Sequence, residues 1–211
     1  MQLVIGNKNY SSWSLRPWLL LHAFGIEFSE IIVSLQPQDI TERLSHYSQS
    51  AKVPVLIDGD LTVWDSLAIC EYISQTYLGD RAWPNDPKQR ALARSITAEM
   101  HSGFDALRSQ LPMDCRLQTT ITLSEEVSKD ISRIKSIWST YAKPTQDGQI
   151  SLFGSFGIAD CFYAPVAIRF QSYGVPVQGL AKDYMDSLLS HPAMQLWQKA
   201  AQAETETLDL T

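Results

Sequence analysis

Features that mark several large classes of protein are scarce in this chain of 211 residues. Its three cysteines, Cys70, Cys115 and Cys161, lie about 45 residues apart and form neither a CxxC pair nor a disulfide framework. Such cysteine usage indicates a reducing compartment, and we expect a cytoplasmic protein. The four histidines are scattered without an HExxH or HxH pair, so no metal site is expected.

Positive charge and long apolar runs are scarce as well. Lys and Arg together number 17 against 23 Asp and Glu, which gives a net charge of −6. Nucleic acids and anionic membranes attract proteins through basic surfaces, so neither partner is expected. No apolar stretch approaches the roughly 20 residues that span a bilayer, and the N-terminal MQLVIGNKNY lacks the basic flank of a signal peptide. Small molecules or protein partners are therefore expected.

The first 78 residues alternate between strand-like and helix-like patterns in the order β-α-β-α-β-β-α. An Asp-Gly pair between apolar runs favours a hairpin, so the last two strands are predicted to be antiparallel. Alternation of the earlier elements predicts parallel pairing and a sheet covered by helices, which is a thioredoxin-like arrangement. The predicted strands are 2–6, 28–33 and the runs VPVLI and LTV; the predicted helices are 14–24 and Ser66–Tyr77, with a polar helix or turn at 39–47.

Composition changes after the third helix. Residues 79–86 are predicted to link a first domain at 1–78 to a second, all-helical domain at 87–211. The linker ends in an Asp-Pro pair, a favourable helix start. Apolar residues then recur every three or four positions up to Pro112, which predicts one long helix.

The rest of the second domain is predicted to be helical, and no strand is needed after residue 78. Thr122 and Glu125 form a capping-box pattern that starts the next helix. The polar run at 203–211 is predicted to be frayed. Further helices are predicted at about 158–171, 180–189 and 192–203.

Three short stretches carry candidate chemistry. NYSSWSLRPW, at 9–18, places three serines at a helix start, where hydroxyls cap the helix and its positive end attracts anions. Val53-Pro54 opens a strand; a trans bond is the commoner case there, whereas a cis bond would turn the Val53 backbone outward. Asp65 and Ser66 precede a helix, as simple caps or as a site for a carboxylate beside an ammonium group.

Taken together, these stretches resemble the cytosolic glutathione transferase family over essentially the whole chain. SSWSLRPW is similar to its serine-type active-site loop, KVPVL to its cis-proline loop and WDSLAICEYI to its γ-glutamyl-binding turn and helix. The S-x-x-S pattern is similar to the zeta and theta classes. The resemblance implies an α/β thioredoxin-like N-terminal domain plus an all-α C-terminal domain, a homodimer, and glutathione as co-substrate without a metal.

The resemblance also implies roles for particular residues. Ser11 takes the position of the catalytic serine, with Ser12 as the alternative. For His101 and Phe104, ordinary helix packing is the competing interpretation. Glutathione is expected to contact Lys52, Val53, Pro54, Asp65 and Ser66, and the electrophile is expected to contact Tyr10, Trp13, His101, Phe104 and Arg108.

The sequence departs from the family pattern at three places. Trp13 stands where beta-class and some zeta-class relatives have cysteine, which argues against thiol redox chemistry. Pro17-Trp18 follow Arg16 where zeta enzymes carry a second arginine, which argues against a maleylacetoacetate isomerase. The Ser/Thr-x-x-Asp capping box of the sixth family helix begins here with Gly157, and Asp160 is expected to reach back to its N–H.

These features predict a glutathione transferase that conjugates glutathione to a small hydrophobic electrophile, as in detoxification. A free thiol with a pKa of about 8.5 is mostly protonated at neutral pH. A hydroxyl that donates to the thiolate stabilises it by roughly 1.5–3 kcal/mol, which lowers the thiol pKa by about one to two units. The alternatives are a non-catalytic binding protein with this fold and a zeta-like glutathione-dependent isomerase.

Overall fold

The computed structural model of the protein describes residues 1–208. Four strands form one mixed sheet in the order β2-β1-β3-β4, in which β1 runs parallel to β2 and antiparallel to β3, and β3 runs antiparallel to β4. The predicted strand pairing is therefore confirmed. The strands are β1 (Gln2–Ile5), β2 (Ser29–Ile32), β3 (Val55–Asp58) and β4 (Leu61–Trp64).

Helices flank this sheet and make up most of the second half of the chain. The predicted thioredoxin-like arrangement followed by a helical region is confirmed, and no helix among residues 1–208 is both long and apolar enough to cross a membrane. The helices are α1 (Ser12–Ala23), α2 (Ile40–Ser45), α3 (Ser66–Tyr77), α4 (Pro87–Ser102), α5 (Asp105–Gln110), α6 (Glu125–Tyr141), α7 (Ile158–Ser172), α8 (Gly179–Ser190) and α9 (Pro192–Ala203).

Helix α1 joins the two halves of the molecule. Its sequence is apolar on nearly every side, and Leu15, Leu19 and Leu20 are fully buried. One side packs against α3, and other sides pack against α7 and α9. Because α7 is also buried along almost its whole length, one continuous hydrophobic core runs through both halves.

The prediction of one long helix up to Pro112 is wrong. Helix α4 ends at Ser102, and α5 begins at Asp105. Between them Gly103 is extended, with no room for a Cβ atom beside the Glu99 carbonyl oxygen, and Phe104 has a left-handed φ of 58°. The apolar spacing continues across this break because residues on both sides face the same core.

Two further expectations for the second half are corrected. Helix α6 is capped by Ser124, whose Oγ accepts a hydrogen bond from the Val127 N–H, and Thr122 lies outside the helix. A hairpin of β5 (Ala142–Pro144) and β6 (Ile150–Leu152) follows, although no strand was expected after residue 78.

The C-terminal run is held in place as far as the structure describes it. Residues 204–208 make hydrogen bonds to the loop that precedes α1, so the expected fraying is wrong for this part. Residues 209–211 lie outside the described residues.

A close approach of two backbones explains why glycine stands at the start of α7. The Ala82 carbonyl oxygen accepts a hydrogen bond from the Ile158 N–H at 3.0 Å. A Cβ atom at Gly157 would lie only 2.5 Å from that oxygen. The capping carboxylate is present as predicted, since Asp160 Oδ2 accepts from the Gly157 N–H at 2.8 Å.

We predict that Gly157→Ser destabilises the fold. Serine would supply the missing cap hydroxyl, which is worth only a few tenths of a kcal/mol over glycine. The clash with the Ala82 carbonyl should cost about 1–3 kcal/mol, so the free energy of unfolding should fall. Urea unfolding of the wild type, Gly157→Ser and Gly157→Ala measures it. A serine variant that is as stable as the wild type would contradict the close approach.

Candidate functional site

A cleft of about 800 Å³ opens at one edge of the sheet, and we call it the sheet-edge cleft. It lies between the start of α1, the loop before β3 and the start of α3. Half of the twelve residues singled out from the sequence line it, together with apolar side chains that the sequence did not identify. The predicted residues are Trp13, Lys52, Val53, Pro54, Asp65 and Ser66; the others include Leu35, Ile40, Leu44 and Trp64.

The peptide bond between Val53 and Pro54 is cis. Of the two geometries open from the sequence, the structure therefore has the less common one. The ladder with β1 begins only at Val55, so Val53 lies in the cleft wall before the sheet pairing starts.

Asp65 caps helix α3 from an unusual backbone conformation. Its Oδ1 accepts hydrogen bonds from the N–H groups of Leu67, at 2.8 Å, and Ala68, at 3.1 Å. Its φ is 79°, in a region that non-glycine residues rarely occupy and that is concentrated at functional sites. The cap uses one carboxylate oxygen toward the helix and leaves Oδ2 facing the second half of the chain.

Beneath the cleft lies a buried cation that the sequence reading did not assign to the site. The Arg16 side chain is only 1% exposed, and it donates from Nη1 to Ser66 Oγ at 3.2 Å. Its guanidinium carbon lies 4.1 Å from the ring centre of Trp13 and 4.5 Å from that of Phe162. Burial, together with repulsion from other arginines, lowers the pKa of Arg16 to about 9, so it remains charged at neutral pH.

His101 connects this cation to Asp65. Arg16 Nη1 lies 3.3 Å from His101 Nδ1, and His101 Nε2 lies 3.2 Å from Asp65 Oδ2. Since a guanidinium has only donors, Nδ1 must accept, and the ring proton of the neutral imidazole lies on Nε2, facing Asp65. Burial lowers the pKa of His101; Asp65 opposes this shift, and the Arg16 and Arg108 charges add to it.

The three serines at the start of α1 differ in their hydrogen bonds. Ser11, not Ser14, is the cap residue: its Oγ accepts from the Ser14 N–H and donates to Ser14 Oγ at 2.7 Å. Ser14 is fully buried and accepts from the Gly6 N–H. Ser12 is 7% exposed, and among residues 1–208 its hydroxyl has no hydrogen-bond partner. Neither Ser11 nor Ser12 is among the residues that line the sheet-edge cleft, to which α1 contributes Trp13.

The remaining predicted residues divide into two groups. Arg108 lies beside the site, with its guanidinium carbon 5.3 Å from the Trp13 ring centre and Nη1 donating to the His101 carbonyl. Tyr10 does not line the cleft, and its hydroxyl accepts a hydrogen bond from Arg116. Phe104, between α4 and α5, is 8% exposed and packs in the main core.

No thiol is poised for nucleophilic chemistry near the cleft. Cys70 and Cys161 are fully buried, and burial raises the pKa of each thiol well above its ordinary value. Burial also raises the pKa of Cys115 to about 12. Among residues 1–208, no group of three His, Cys, Asp or Glu side chains is placed to hold a metal ion.

A second cavity, of about 880 Å³, lies beside the β5-β6 hairpin. The stacked rings of Phe156 and His191 form part of its wall. None of the residues predicted from the sequence lines it.

We predict that Asp65→Asn lowers the pKa of His101 further. Asparagine keeps the helix cap but has no charge to favour the imidazolium, while Arg16 and Arg108 continue to disfavour it. An NMR titration of His101 measures the change, with the exposed turn variant Asp60→Asn as the control. Nitrogen shifts in the wild type should also report the Nε2–H tautomer. An unchanged pKa in Asp65→Asn would contradict the Asp65–His101 contact.

Comparison with known proteins finds similar sequences and similar folds. Residues 10–76 match the family model described as the glutathione S-transferase N-terminal domain. A glutathione S-transferase of Hyoscyamus muticus is 28% identical over 147 residues, which is 66% of this chain and 69% of that protein. Maleylacetoacetate isomerase of Mus musculus is 35% identical over 106 residues, which is 48% of each chain.

Solved structures share the fold along nearly the whole chain. A glutathione transferase homologue from Burkholderia, solved with bound glutathione, has a TM-score of 0.73 at 23% identity and covers 96% of this chain and 98% of its own. A bacterial zeta-class maleyl pyruvate isomerase has a TM-score of 0.72 at 19% identity, over 98% and 100%. Residues 10–76 thus match the glutathione S-transferase N-terminal domain, and nearly the whole chain shares the fold of these glutathione transferase structures.

Proposed function

We propose that this protein is a glutathione transferase that binds glutathione in the sheet-edge cleft and joins its sulfur to a small hydrophobic electrophile. The observation that carries the proposal is that one cleft is lined by Trp13 from the first turn of α1, the Val53-Pro54 step and the Asp65-Ser66 pair, with Ser11 and Ser12 directly before Trp13. The glutathione-bound relative from Burkholderia, with the same fold, supports glutathione as co-substrate.

The start of α3 suits the γ-glutamyl head of glutathione. Its α-carboxylate would accept from the Ser66 hydroxyl and from the helix N-terminus, whose partial positive charge favours an anion. Its ammonium group would lie against Asp65, which is 41% exposed toward the cleft. Val53 would pair with the cysteinyl backbone beside Pro54, and Lys52 would hold the glycyl carboxylate.

The N-terminus of α1 is suited to stabilise the sulfur of glutathione as a thiolate. A Ser11 hydroxyl that leaves Ser14, or the free Ser12 hydroxyl, would donate to the thiolate. The positive end of α1 adds about 0.3–1 kcal/mol. The thiol proton passes to solvent, the thiolate electron pair forms a C–S bond with the electrophilic carbon, and the leaving group departs with its bonding electrons.

The electrophile is expected where the two halves of the chain meet. Trp13 from α1 faces His101 from α4 at a ring-centre distance of 5.4 Å, and Arg108 lies over the same indole. A pocket wall formed by these aromatic rings and the Arg108 cation suits a flat apolar molecule whose leaving group departs as an anion. Domains at 1–78 and 87–211, joined by 79–86, would each supply one wall of the pocket.

The resemblance to glutathione transferases also leads us to propose a homodimer in the cytoplasm. Leu61 and Trp64 on β4 and Leu92 on α4 are large apolar side chains that are 44%, 55% and 44% exposed. Side chains of this kind on both halves of the chain support pairing of the first domain of one subunit with the second domain of its partner. The free thiols at all three cysteines fit a reducing compartment.

A zeta-like isomerase is the second candidate, favoured by the 35% identity to maleylacetoacetate isomerase. There the thiolate would add to a double bond, the carbon–carbon bond would rotate, and elimination would return glutathione. Turnover of a maleyl substrate, with no activity toward aryl halides, would favour this reaction. Failure to bind glutathione by calorimetry would instead favour a non-catalytic binding protein.

We predict that Ser11→Ala reduces the rate with a generic aryl halide at least tenfold, because loss of a hydrogen bond to a charged group costs roughly 1.5–3 kcal/mol. The substitution also removes a helix cap, worth about 1 kcal/mol of stability. Ser124→Ala removes the cap of α6 far from the cleft and serves as the matched control, with activity retained.

Ser12→Ala completes the comparison, because it leaves the cap intact. A loss in Ser12→Ala alone would assign the sulfur contact to Ser12. Wild-type rates in both Ser11→Ala and Ser12→Ala would overturn the serine mechanism.

A further inference from the structure

The segment Glu204–Leu208 after α9, which we call the C-terminal strap, lies across the loop Asn7–Tyr10, which we call the N-terminal loop. The Glu204 carboxylate accepts hydrogen bonds from two consecutive backbone N–H groups of this loop, those of Lys8 at 2.6 Å and Asn9 at 3.0 Å. Both residues are buried, Asn9 completely. The strap therefore supplies the hydrogen-bond acceptors that these buried backbone donors require.

Further contacts extend the strap toward the sheet. The Glu206 carboxylate accepts from Asn7 Nδ2 and from Ser34 Oγ, each at 2.6 Å, and these bonds lower the pKa of Glu206. Gln36 Nε2 donates to the Thr207 carbonyl at 3.0 Å. The strap is thus bonded both to the N-terminal loop and to the segment after β2.

Arg116, in the segment between α5 and α6, ties the strap to the loop. Its guanidinium donates to the carbonyl oxygens of Glu204, at 2.6 Å, and Glu206, at 2.9 Å. The same group donates to the Tyr10 hydroxyl at 2.7 Å, and the Arg116 backbone N–H donates to Asn9 Oδ1. The Arg116 guanidinium therefore binds two carbonyl oxygens of the C-terminal strap and one hydroxyl of the N-terminal loop.

A short path leads from this network to the serines. The Asn7 carbonyl accepts from the N–H groups of both Tyr10, at 3.1 Å, and Ser11, at 2.8 Å. The N-terminal loop is therefore a tight turn, and the residue that directly follows it, Ser11, is the cap of α1. Displacement of Asn7 or Tyr10 would move Ser11 and Ser12 relative to the cleft, while Val53, Asp65 and Ser66 stand on other elements.

We propose that Arg116 and the C-terminal strap are positioning elements that set the serine hydroxyl against the sulfur of glutathione. Neither touches the bound peptide; they act through the N-terminal loop. This inference rests on the proposed function. A hydrogen bond weakens steeply with poor geometry, so a shift of about half an ångström is enough to weaken thiolate stabilisation. Peptide binding, which depends on other elements, should be spared.

Arg116→Ala tests the inference, with Arg133→Ala as the matched control. The Arg133 guanidinium also donates hydrogen bonds, two against the three of Arg116, but it pairs with Glu99 on the outer side of α4 and α6. The measurements are the thiol pKa of bound glutathione from thiolate absorbance, the dissociation constant by calorimetry, kcat, and hydrogen exchange of backbone amides. Tyr10→Phe, which removes only the hydroxyl, is a milder second variant if Arg116→Ala folds poorly.

We expect Arg116→Ala to raise the thiol pKa toward that of free glutathione and to lower kcat at least about tenfold, as for loss of one charge-assisted hydrogen bond. Measured at a pH below the pKa of the bound thiol, where glutathione binds as the thiol, the dissociation constant should stay within about twofold of wild type, since the residues that hold the peptide are untouched. Tyr10→Phe should change the pKa and kcat in the same direction by less, and Arg133→Ala should change neither.

Hydrogen exchange separates this inference from the proposed function, because it needs no glutathione. Exchange of the Tyr10 and Ser11 amides should accelerate at least about tenfold in Arg116→Ala, while the Ile69 amide in α3 keeps its protection. Unchanged exchange at Tyr10 and Ser11 overturns the positioning role even if Ser11 proves catalytic. An equal loss of kcat and of glutathione affinity, with protection lost throughout, overturns it as well.

Discussion

The buried Arg16 guanidinium is the constraint on which the arrangement of the site depends. A charge removed from water is costly unless it is paired or hydrogen-bonded. Here the cost is offset by partners from three other helices: Ser66 of α3, His101 of α4 and the Phe162 ring of α7. The cleft can therefore hold its present geometry only when both halves of the chain are docked.

This constraint also orients the residues that face the ligand. Arg16 fixes the tautomer of His101, and His101 in turn donates toward the free oxygen of the Asp65 carboxylate. Ser66 receives its hydrogen bond from the same guanidinium. On the opposite wall, the C-terminal strap holds the turn before α1. These two parts of the site are thus supported by different networks, and under the proposed function substrate binding and thiolate stabilisation would be altered separately.

Local signals in the sequence predicted much of the fold and half of the cleft. Asp-Gly pairs and capping side chains act within a few residues, so the β3-β4 hairpin and the Asp65 cap were readable. A second Asp-Gly pair, Asp147-Gly148, carried the same signal for β5-β6 but joins strands of only three residues. The break at Gly103 was hidden because apolar spacing continues across it. Arg16 and His101 are 85 positions apart in the sequence, and the strap is nearly 200 positions from the N-terminal loop that it contacts. No local sequence pattern encodes contacts over such separations.

A crystal structure of the protein with glutathione bound tests the central claim most directly. The account predicts the tripeptide in the sheet-edge cleft, with the sulfur within about 3.5 Å of a Ser11 or Ser12 hydroxyl and the γ-glutamyl head against Asp65 and Ser66. Glutathione bound instead in the cavity beside the β5-β6 hairpin, or in the cleft with its sulfur turned away from both serines, would contradict it.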